Sequence, residues 1–452
     1  MANADVKLRR SLGLGAVVLF GLAYMAPMIV FGTFGVLADK SEGTAAGAYV
    51  VALAAIVLTA FSYGRMASIH PVSGSAYSYT RRSIDARAGF LVGWAVLLDY
   101  FFLPMVIWLI GAAYLGAALP DVPGWIWIVA FVVLTSAINI VGIRFASRVN
   151  VVLMVAQFAI VAAFMALAAR YVVLASGAAS LLSVEPFFRP GVPVSATLAG
   201  AALAAYSFLG FDAVSTLAEE TIEPSKTMPR AILLIAVIGG AIYIAASYLT
   251  ELAHPADSFA NEDAAAFEIA RHIGGDLFVT VFLVGMVVTQ FTAGLSTQAS
   301  VGRLLYAMGR DRVLPRRVFG FLGGRFGAPV FNIVLAGLFG FLAVGLDETT
   351  STSFINFGAF TAFTFVNLSV IGHYLRHRGD GARRGLVPWL MVPGLGALFD
   401  LALLASLDRD AQILGVSWLA LGVVYLACLT RGFRTPPPDL DIEAADGVTE
   451  RG

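Results

Sequence analysis

Cysteine and histidine are scarce in this chain of 452 residues, which leaves few groups that could bind a metal. Cys428 is the only cysteine, so neither an intramolecular disulfide nor a cysteine-based metal site can form. Among the five histidines, His373 and His377 are spaced i, i+4, but the sequence offers no third ligand nearby. No metal or other cofactor is therefore expected.

Lysine and the common catalytic motifs are equally rare. Lysine occurs only at positions 7, 40 and 226, and none of the three belongs to a GxxxxGK[ST] phosphate-binding loop. The hydrolase patterns HExxH and GxSxG are also missing. These absences argue against an NTPase and a hydrolase, and we expect no enzyme activity.

Charged residues are few, and this limits the kinds of partner that the protein can bind. Charged residues make up 13% of the chain, against about 25% in an average soluble domain, and the formal net charge is +0. Nucleic-acid binding depends on clustered cationic charge, so nucleic acid is not an expected partner. Hydrophobic residues make up 59%, which is typical of a protein surrounded by membrane lipid.

Twelve long apolar stretches are present, each of a length that crosses a bilayer as a helix, for which about 20 residues suffice. All lack charged residues except the third and the eleventh, which hold Asp99 and Asp400 respectively. We predict an all-α integral membrane protein of twelve transmembrane helices. In chain order, the predicted spans 1 to 12 are 11–38, 43–64, 88–120, 122–143, 149–169, 190–211, 231–250, 277–302, 326–346, 349–375, 385–407 and 411–430.

Basic residues predict the orientation of these spans. If the N-terminus is cytoplasmic, most lysines and arginines fall on the cytoplasmic side, as the positive-inside rule requires. The C-terminus is then cytoplasmic too, and the Pro-rich and acidic segment 435–452 is predicted to be a disordered tail. The opposite side receives only Lys40, Arg170, Arg189, Arg271 and Arg409.

Two spans are interrupted at mid-depth, span 1 at Pro27 and span 6 at Gly210. Such residues either kink a helix or open its backbone toward a polar cavity. Because the interruptions are five spans apart, we predict inverted repeats at about 11–172 and 190–375 with a substrate site between them, and additional helices at about 385–430, all within a transporter domain 1–434. The residues predicted to line that site are Tyr24, Ala26, Pro27, Met28, Asp99, Tyr100, Phe208, Gly210 and Asp212.

Acids within the spans cost about 2.5–3.5 kcal/mol on insertion scales, so each needs a role. Asp99 is a candidate for substrate binding and proton coupling, or alternatively a protonated acid bonded to a neighbouring helix. Asp212 either binds substrate or caps the half-helix that follows it. Glu219 and Glu220, near the cytoplasmic end of span 6, are gate or loop contacts and further candidates for proton coupling. Asp400 lies outside the repeats, which favours a local structural role.

Five segments together resemble the amino acid-polyamine-organocation permeases: HPVSGSAYSYTRRSI (70–84), AYSFLGFDAVSTLAEE (205–220), EPSKTMPRAI (223–232), SVGRLLYAMGRDRVLP (300–315) and FINFGAFTAFTFVNLSV (354–370). Within that family, GLAYMAP (21–27), SYGR (62–65) and VGWAVLLDYFFLPM (92–105) are similar to the bacterial putrescine importers. The resemblance covers about 8–434. It implies a five-plus-five inverted repeat with two extra helices in a bacterial inner membrane, and proton-coupled uptake of an amine.

Three departures from relatives bear on the substrate. Gly32 stands where the putrescine importers have an acid, and Gln157 stands where some amino acid transporters have a lysine that replaces a sodium ion. The Gly-Ser-Gly break that frees amides for a substrate carboxylate in amino acid transporters is replaced by Ala26 and Pro27, and proline has no N–H. This last departure favours an amine over an amino acid.

The leading hypothesis is a secondary importer, coupled to protons, of a small amine such as putrescine. Tyr24, Tyr100 and Phe208 would form an aromatic pocket, with Asp99 or Asp212 supplying negative charge. One alternative is an amino acid:proton symporter for a neutral or acidic amino acid, whose carboxylate would bind helix-end amides. Another is a membrane sensor that binds without transporting.

Overall fold

A computed structural model describes residues 12–71, 75–141, 147–218, 221–253, 259, 261–310, 313–322, 329–377 and 385–437. Within them, eleven helices are long and apolar enough to cross a membrane, and a twelfth apolar helix, Val330–Val344, is shorter. The prediction of an all-helical protein with twelve spans is confirmed. Spans 1 to 12 are Leu14–Gly32, Ala45–Ile69, Ala86–Ala118, Gly124–Val141, Val152–Ser176, Val194–Ser215, Pro224–Ala253, Glu262–Tyr306, Val330–Val344, Glu348–Arg376, Val387–Ala405 and Arg409–Leu429.

Short helices and local caps join these spans. Ser75–Ser83 lies between spans 2 and 3, and Arg316–Phe319 lies between spans 8 and 9. The carboxylate of Asp85 accepts a hydrogen bond from the Arg87 N–H at the start of span 3, and Asp347 accepts one from the Thr350 N–H at the start of span 10. These bonds satisfy helix-end donors that would otherwise lack partners.

Span 1 is interrupted, as predicted. Its first half is the helix Leu14–Tyr24, and Ala26 then adopts the left-handed backbone conformation, with φ 47°. Pro27 follows, and the chain resumes as the helices Ile29–Gly32 and Phe34–Lys40. A left-handed alanine costs energy that the surrounding packing must offset.

Span 6 is interrupted at the predicted position too. The helix Val194–Ala204 tightens into the 3₁₀ turn Ala205–Phe208, and Gly210 has φ 109°, which other residues rarely adopt. The 3₁₀ turn Ala213–Leu217 completes the span. The predictions that spans 1 and 6 are discontinuous are therefore confirmed.

The other spans form the scaffold around these two. Span 2 packs extensively on span 7, and span 3 packs on spans 8 and 10. Span 8 belongs to a longer helical segment, Ala265–Arg310, with a left-handed residue at Gly275 (φ 69°). Span 11 packs against spans 2 and 10, and span 12 against spans 3 and 10. The two spans outside the predicted repeats thus brace spans 2, 3 and 10.

A pair of tryptophans ties span 12 to span 3. The indole N–H of Trp94 donates to the carbonyl of Trp418 (2.9 Å), and the indole N–H of Trp418 donates to the carbonyl of Trp94 (2.7 Å). The rings stack with their centroids 4.9 Å apart. Both indole donors are thereby satisfied at a site that also buries large apolar rings.

Helices pack closely near the membrane face away from the start of span 1, here called the opposite face. A Cβ on Gly35 would clash with the carbonyl oxygen of Glu262, and one on Gly200 would lie 2.7 Å from the Cβ of Ser41. The helix Phe34–Lys40 therefore packs without a gap between the start of span 6 and the turn Glu262–Ala264.

Candidate functional site

The two interruptions meet in the structure. The ring of Tyr24, at the end of the first half of span 1, lies directly against Gly210, where any Cβ would clash with it. The first half of span 1 also contacts the turn Ala213–Leu217. The central prediction, that the breaks of spans 1 and 6 lie together inside the protein, therefore agrees with the geometry.

Two acids and two tyrosines share the space beside this contact. Asp99 in span 3 and Asp212 in span 6 interact electrostatically with each other, and both interact with Tyr24 and Tyr100. Tyr24 keeps 37% of its surface exposed, and the other three are half-buried. Within the described residues, the buried Oδ1 of Asp99 accepts no hydrogen bond. These four side chains form what we call the carboxyl–tyrosine site.

Asp212 has more polar neighbours than Asp99. Its carboxylate faces the backbone N–H groups of Gly210 and Ala213 and the hydroxyl of Tyr63. These contacts fit the helix-capping alternative considered for this residue, and they do not remove its charge from the site. Asp99 carries no comparable set of donors, so it is the acid better placed to accept a new one.

Four backbone amides around the breaks are already used. The N–H of Met25 donates to Gly21 (3.0 Å), and that of Ala26 donates to Ala23 (3.2 Å). Pro27 has no N–H. In span 6, the N–H of Leu209 and that of Phe211 donate to the carbonyls of Tyr206 (3.1 Å) and Phe208 (3.2 Å). The breaks therefore present acids and rings rather than a row of free amide donors.

Two predicted site residues lie behind this space. Phe208 is fully buried and packs edge-on against Tyr243 (5.4 Å between centroids) and near Tyr49 (6.3 Å). The hydroxyl of Tyr243 also donates to the carbonyl of Met25 (3.0 Å), so this group holds the break of span 1 in place. Met28 is buried, with its sulfur 3.8 Å from the hydroxyl of Thr289 in span 8.

The remaining predicted positions are placed as follows. Glu219 and Glu220 lie outside the described residues. A Cβ on Gly32 would lie 3.1 Å from Ile110 and 3.5 Å from the amide nitrogen of Gln290, so the packing here leaves little room for an acid. Gln157 is half-buried in span 5, and within the described chain the buried oxygen of its amide accepts no hydrogen bond.

Two further residues near the site were not predicted from the sequence. Tyr206, in the 3₁₀ turn of span 6, interacts electrostatically with both Asp99 and Glu348. Glu348 begins span 10 and is only 1% exposed. It was missed because it adjoins Asp347 at the edge of an uncharged stretch, where an acid is typical of a solvated loop. No group of three or more His, Cys, Asp or Glu residues suited to a metal occurs in the described residues.

Comparisons with known proteins give a consistent result. The family described as "Amino acid permease" matches residues 14–428. The low-affinity putrescine importer PlaP of Escherichia coli (strain K12) is 39% identical over 441 residues, covering 97% of this chain and 98% of PlaP. The branched-chain amino acid permease BcaP of Bacillus subtilis (strain 168) is 27% identical over 456 residues, covering 95% of each chain.

A solved structure supports the same fold. The manganese transporter of Eremococcus coleocola, crystallised in complex with an aromatic bis-isothiourea substituted compound, superposes with a TM-score of 0.54. The match covers 96% of this chain and 99% of that one at 12% sequence identity. At this identity the likeness concerns the arrangement of helices alone.

Proposed function

This chain belongs to the amino acid permease family, and from that premise we propose that it is a proton-coupled secondary importer of a small amine, with putrescine as the first substrate to test. A permease needs no catalytic residues, in keeping with the missing hydrolase and NTPase motifs. The proposed domain is 1–434, with repeats at about 11–172 and 190–375. The proposed setting is a bacterial inner membrane with both termini cytoplasmic.

The observation that carries this proposal is the charge of the carboxyl–tyrosine site. It places Asp99 and Asp212 beside the meeting point of two broken helices, while the N–H groups of Met25 and Ala26 are bonded to their own helix. A substrate carboxylate would find two carboxyl groups there, and the N–H groups of Met25 and Ala26 would not be free to bind it. A protonated amine would find acceptors, so the site supports a cationic substrate.

The tyrosines of the site add to this preference. Tyr24 and Tyr100 both interact electrostatically with the two acids, and an alkylammonium over an aromatic ring gains about 0.5–2 kcal/mol. Aromatic rings also cover the methylene chain of an aliphatic amine. Phe208, packed against Tyr49 and Tyr243, is proposed to support the pocket from behind.

Relatives point to two substrate classes, which the experiment must separate. PlaP is named for putrescine, and BcaP is named for branched-chain amino acids. In the second case the substrate carboxylate would require donors other than the amides of Met25 and Ala26. The greater identity to PlaP and the acidic site both support the amine.

The test is uptake by purified protein in liposomes. With an acidic exterior, we expect labelled putrescine to accumulate inside, and we expect the accumulation to collapse when a protonophore removes the proton gradient. Protein-free liposomes are the control. Unlabelled cadaverine, agmatine and isoleucine are added as competitors. Competition by isoleucine without any uptake of putrescine would overturn the amine proposal in favour of the amino acid. Binding of these compounds with no flux of any of them would favour a sensor.

A further inference from the structure

Glu348 is an unusual acid for its position. It begins span 10 directly after Asp347, whose carboxylate caps the helix through Thr350, but its own side chain turns into the protein and is 1% exposed. In the part of the chain that the structure describes, neither carboxylate oxygen of Glu348 accepts a hydrogen bond. A buried carboxylate without a partner is costly, which favours the protonated, neutral form of this group in the conformation described here.

A polar stripe leads from Glu348 into the membrane. Glu348, Thr352 and Asn356 are spaced i, i+4 and i+8, which places them along one side of span 10 over about 12 Å. All are buried, and a side-chain oxygen of each accepts no hydrogen bond from a described residue. The amide of Asn356 donates to the carbonyl of Ala202 (2.7 Å), so the stripe faces span 6 just before its break.

Glu348 is also connected by charge to the carboxyl–tyrosine site. Tyr206, in the turn Ala205–Phe208, interacts electrostatically with Glu348 on one side and with Asp99 on the other. Span 10 packs against that turn. A tyrosine hydroxyl can both donate and accept a proton. Tyr206 therefore interacts with both the acid near the opposite face and the acid at the centre.

Acids of decreasing exposure lead from the opposite face to Glu348. Asp347 is exposed, Asp263 is half-buried, and Glu348 is fully buried. Glu348 interacts electrostatically with both of the other acids. Among the described residues, the other titratable groups that interact with Glu348 are three tyrosines: Tyr49 in span 2, Tyr114 in span 3 and Tyr206 in span 6. No lysine or arginine interaction with Glu348 occurs among the described residues.

We propose that Glu348 is the proton-coupling carboxyl of this permease, an inference that rests on the proposed function and on the predicted orientation. When the opposite face opens outward, the carboxylate accepts a proton from external water and becomes a neutral carboxylic acid. After the conformational change it returns the proton to water on the cytoplasmic side through the polar stripe, leaving the carboxylate. No other bond changes. In the conformation described here, Glu348 is 1% exposed and therefore shielded from water on both sides.

The experiment compares two kinds of transport by the same variant in liposomes. Glu348→Gln keeps the size of the side chain and cannot exchange a proton. We expect it to lose accumulation of labelled putrescine driven by an acidic exterior, while it keeps the exchange of external labelled putrescine for internal unlabelled putrescine. Exchange needs no net proton movement, and it also shows that the variant is folded. Glu185→Gln is the matched control, since Glu185 is exposed on the opposite face, and it should keep both activities.

A second variant covers the chance that glutamine impairs folding. Glu348→Asp retains the acid but withdraws it by one methylene, and we expect accumulation with a shifted pH midpoint. Unchanged accumulation by Glu348→Gln would overturn the proposal. So would an unchanged pH midpoint in Glu348→Asp, or loss of exchange together with accumulation in a folded Glu348→Gln, because the carboxyl would then serve binding or structure. If wild-type protein transports isoleucine and no amine, the proposed function fails, and the same comparison with labelled isoleucine still decides the role of Glu348.

Discussion

Two membrane-embedded aspartates of this permease, Asp99 and Asp400, have different surroundings. Asp400 is fully buried, and its Oδ2 accepts hydrogen bonds from the hydroxyl of Thr59 and the amide of Asn367, both at 2.9 Å. Asn367 in turn accepts one from the hydroxyl of Ser62 (2.5 Å). The Oδ1 of each aspartate accepts no hydrogen bond from the described residues, so the two differ in the bonds at the second oxygen of Asp400 and in the half-buried position of Asp99. Asp400 therefore joins spans 2, 10 and 11, whereas Asp99 is left able to bind something else.

The largest effect on substrate binding is expected when Asp99 is replaced by asparagine. Asp99→Asn removes a charge from the carboxyl–tyrosine site with almost no change of shape. We expect putrescine to bind roughly 10- to 100-fold more weakly, because a hydrogen bond to a charged group contributes about 1.5–3 kcal/mol. Thermal unfolding in detergent should change little. Binding is measured on purified protein, and a variant that unfolds while keeping its affinity would contradict the assignment of Asp99 to substrate.

The reverse pattern is expected for Asp400. Asp400→Ala leaves Thr59 and Asn367 without their acceptor and should lower the free energy of unfolding by about 1–3 kcal/mol, since hydrogen bonds within membranes average about 0.6 and reach about 1.7 kcal/mol each. The midpoint of thermal unfolding reports the change. Putrescine affinity of the folded fraction should stay at the wild-type value. A selective loss of affinity would instead place Asp400 in the transport site.

A backbone change tests whether the meeting of the two breaks shapes the site. Gly210→Ala places a Cβ against the ring of Tyr24 at φ 109°, a conformation that costs about 1–3 kcal/mol for a residue other than glycine. We expect weaker putrescine binding and slower uptake, with a smaller effect than that of Asp99→Asn. Gly116→Ala is the matched control, because a Cβ there has open space around it. Equal behaviour of the two alanine variants would count against the contact.

The smallest effect is expected at the tie between spans 3 and 12. Trp94→Phe keeps an aromatic ring and removes one indole N–H, the donor to the carbonyl of Trp418. We expect a loss of stability of about 0.6 kcal/mol, seen as a slightly lower midpoint of thermal unfolding, and unchanged putrescine affinity. The hydrogen bond between Trp94 and Trp418 involves no carboxylate, so this variant serves as a neutral reference for the two aspartates. A marked fall in affinity would show that span 12 influences substrate binding.

The interruptions of the membrane helices were predictable from single residues. Pro27 and Gly210 stand in the middle of apolar stretches, and the structure places the two breaks where these residues predict them. Neither residue needs a distant partner to exert its effect, since proline lacks an N–H and glycine tolerates positive φ. Local backbone chemistry is the part of this site that a sequence can report.

Side-chain direction was much harder to predict. Phe208 lies at the break of span 6, and its ring is buried against Tyr49 and Tyr243, two contacts that the sequence did not predict. Asp347 and Glu348 are neighbours in the chain, and a rotation of about 100° per helical residue separates an exposed cap from a buried acid. Such differences depend on packing between distant spans, which the pattern of residues within one span does not report.

Span 9 is shorter than the thickness of the hydrocarbon layer that it crosses. Val330–Val344 combines an α-helix of eleven residues with a 3₁₀ turn of four, and so extends over about 24 Å, whereas the hydrocarbon layer of a bilayer is about 30 Å thick. A helix shorter than the hydrocarbon layer is accommodated by local thinning of the bilayer or by flanking side chains that reach the interface. We therefore expect acyl-chain length to affect the transport rate, with faster transport in vesicles made from shorter-chain phospholipids.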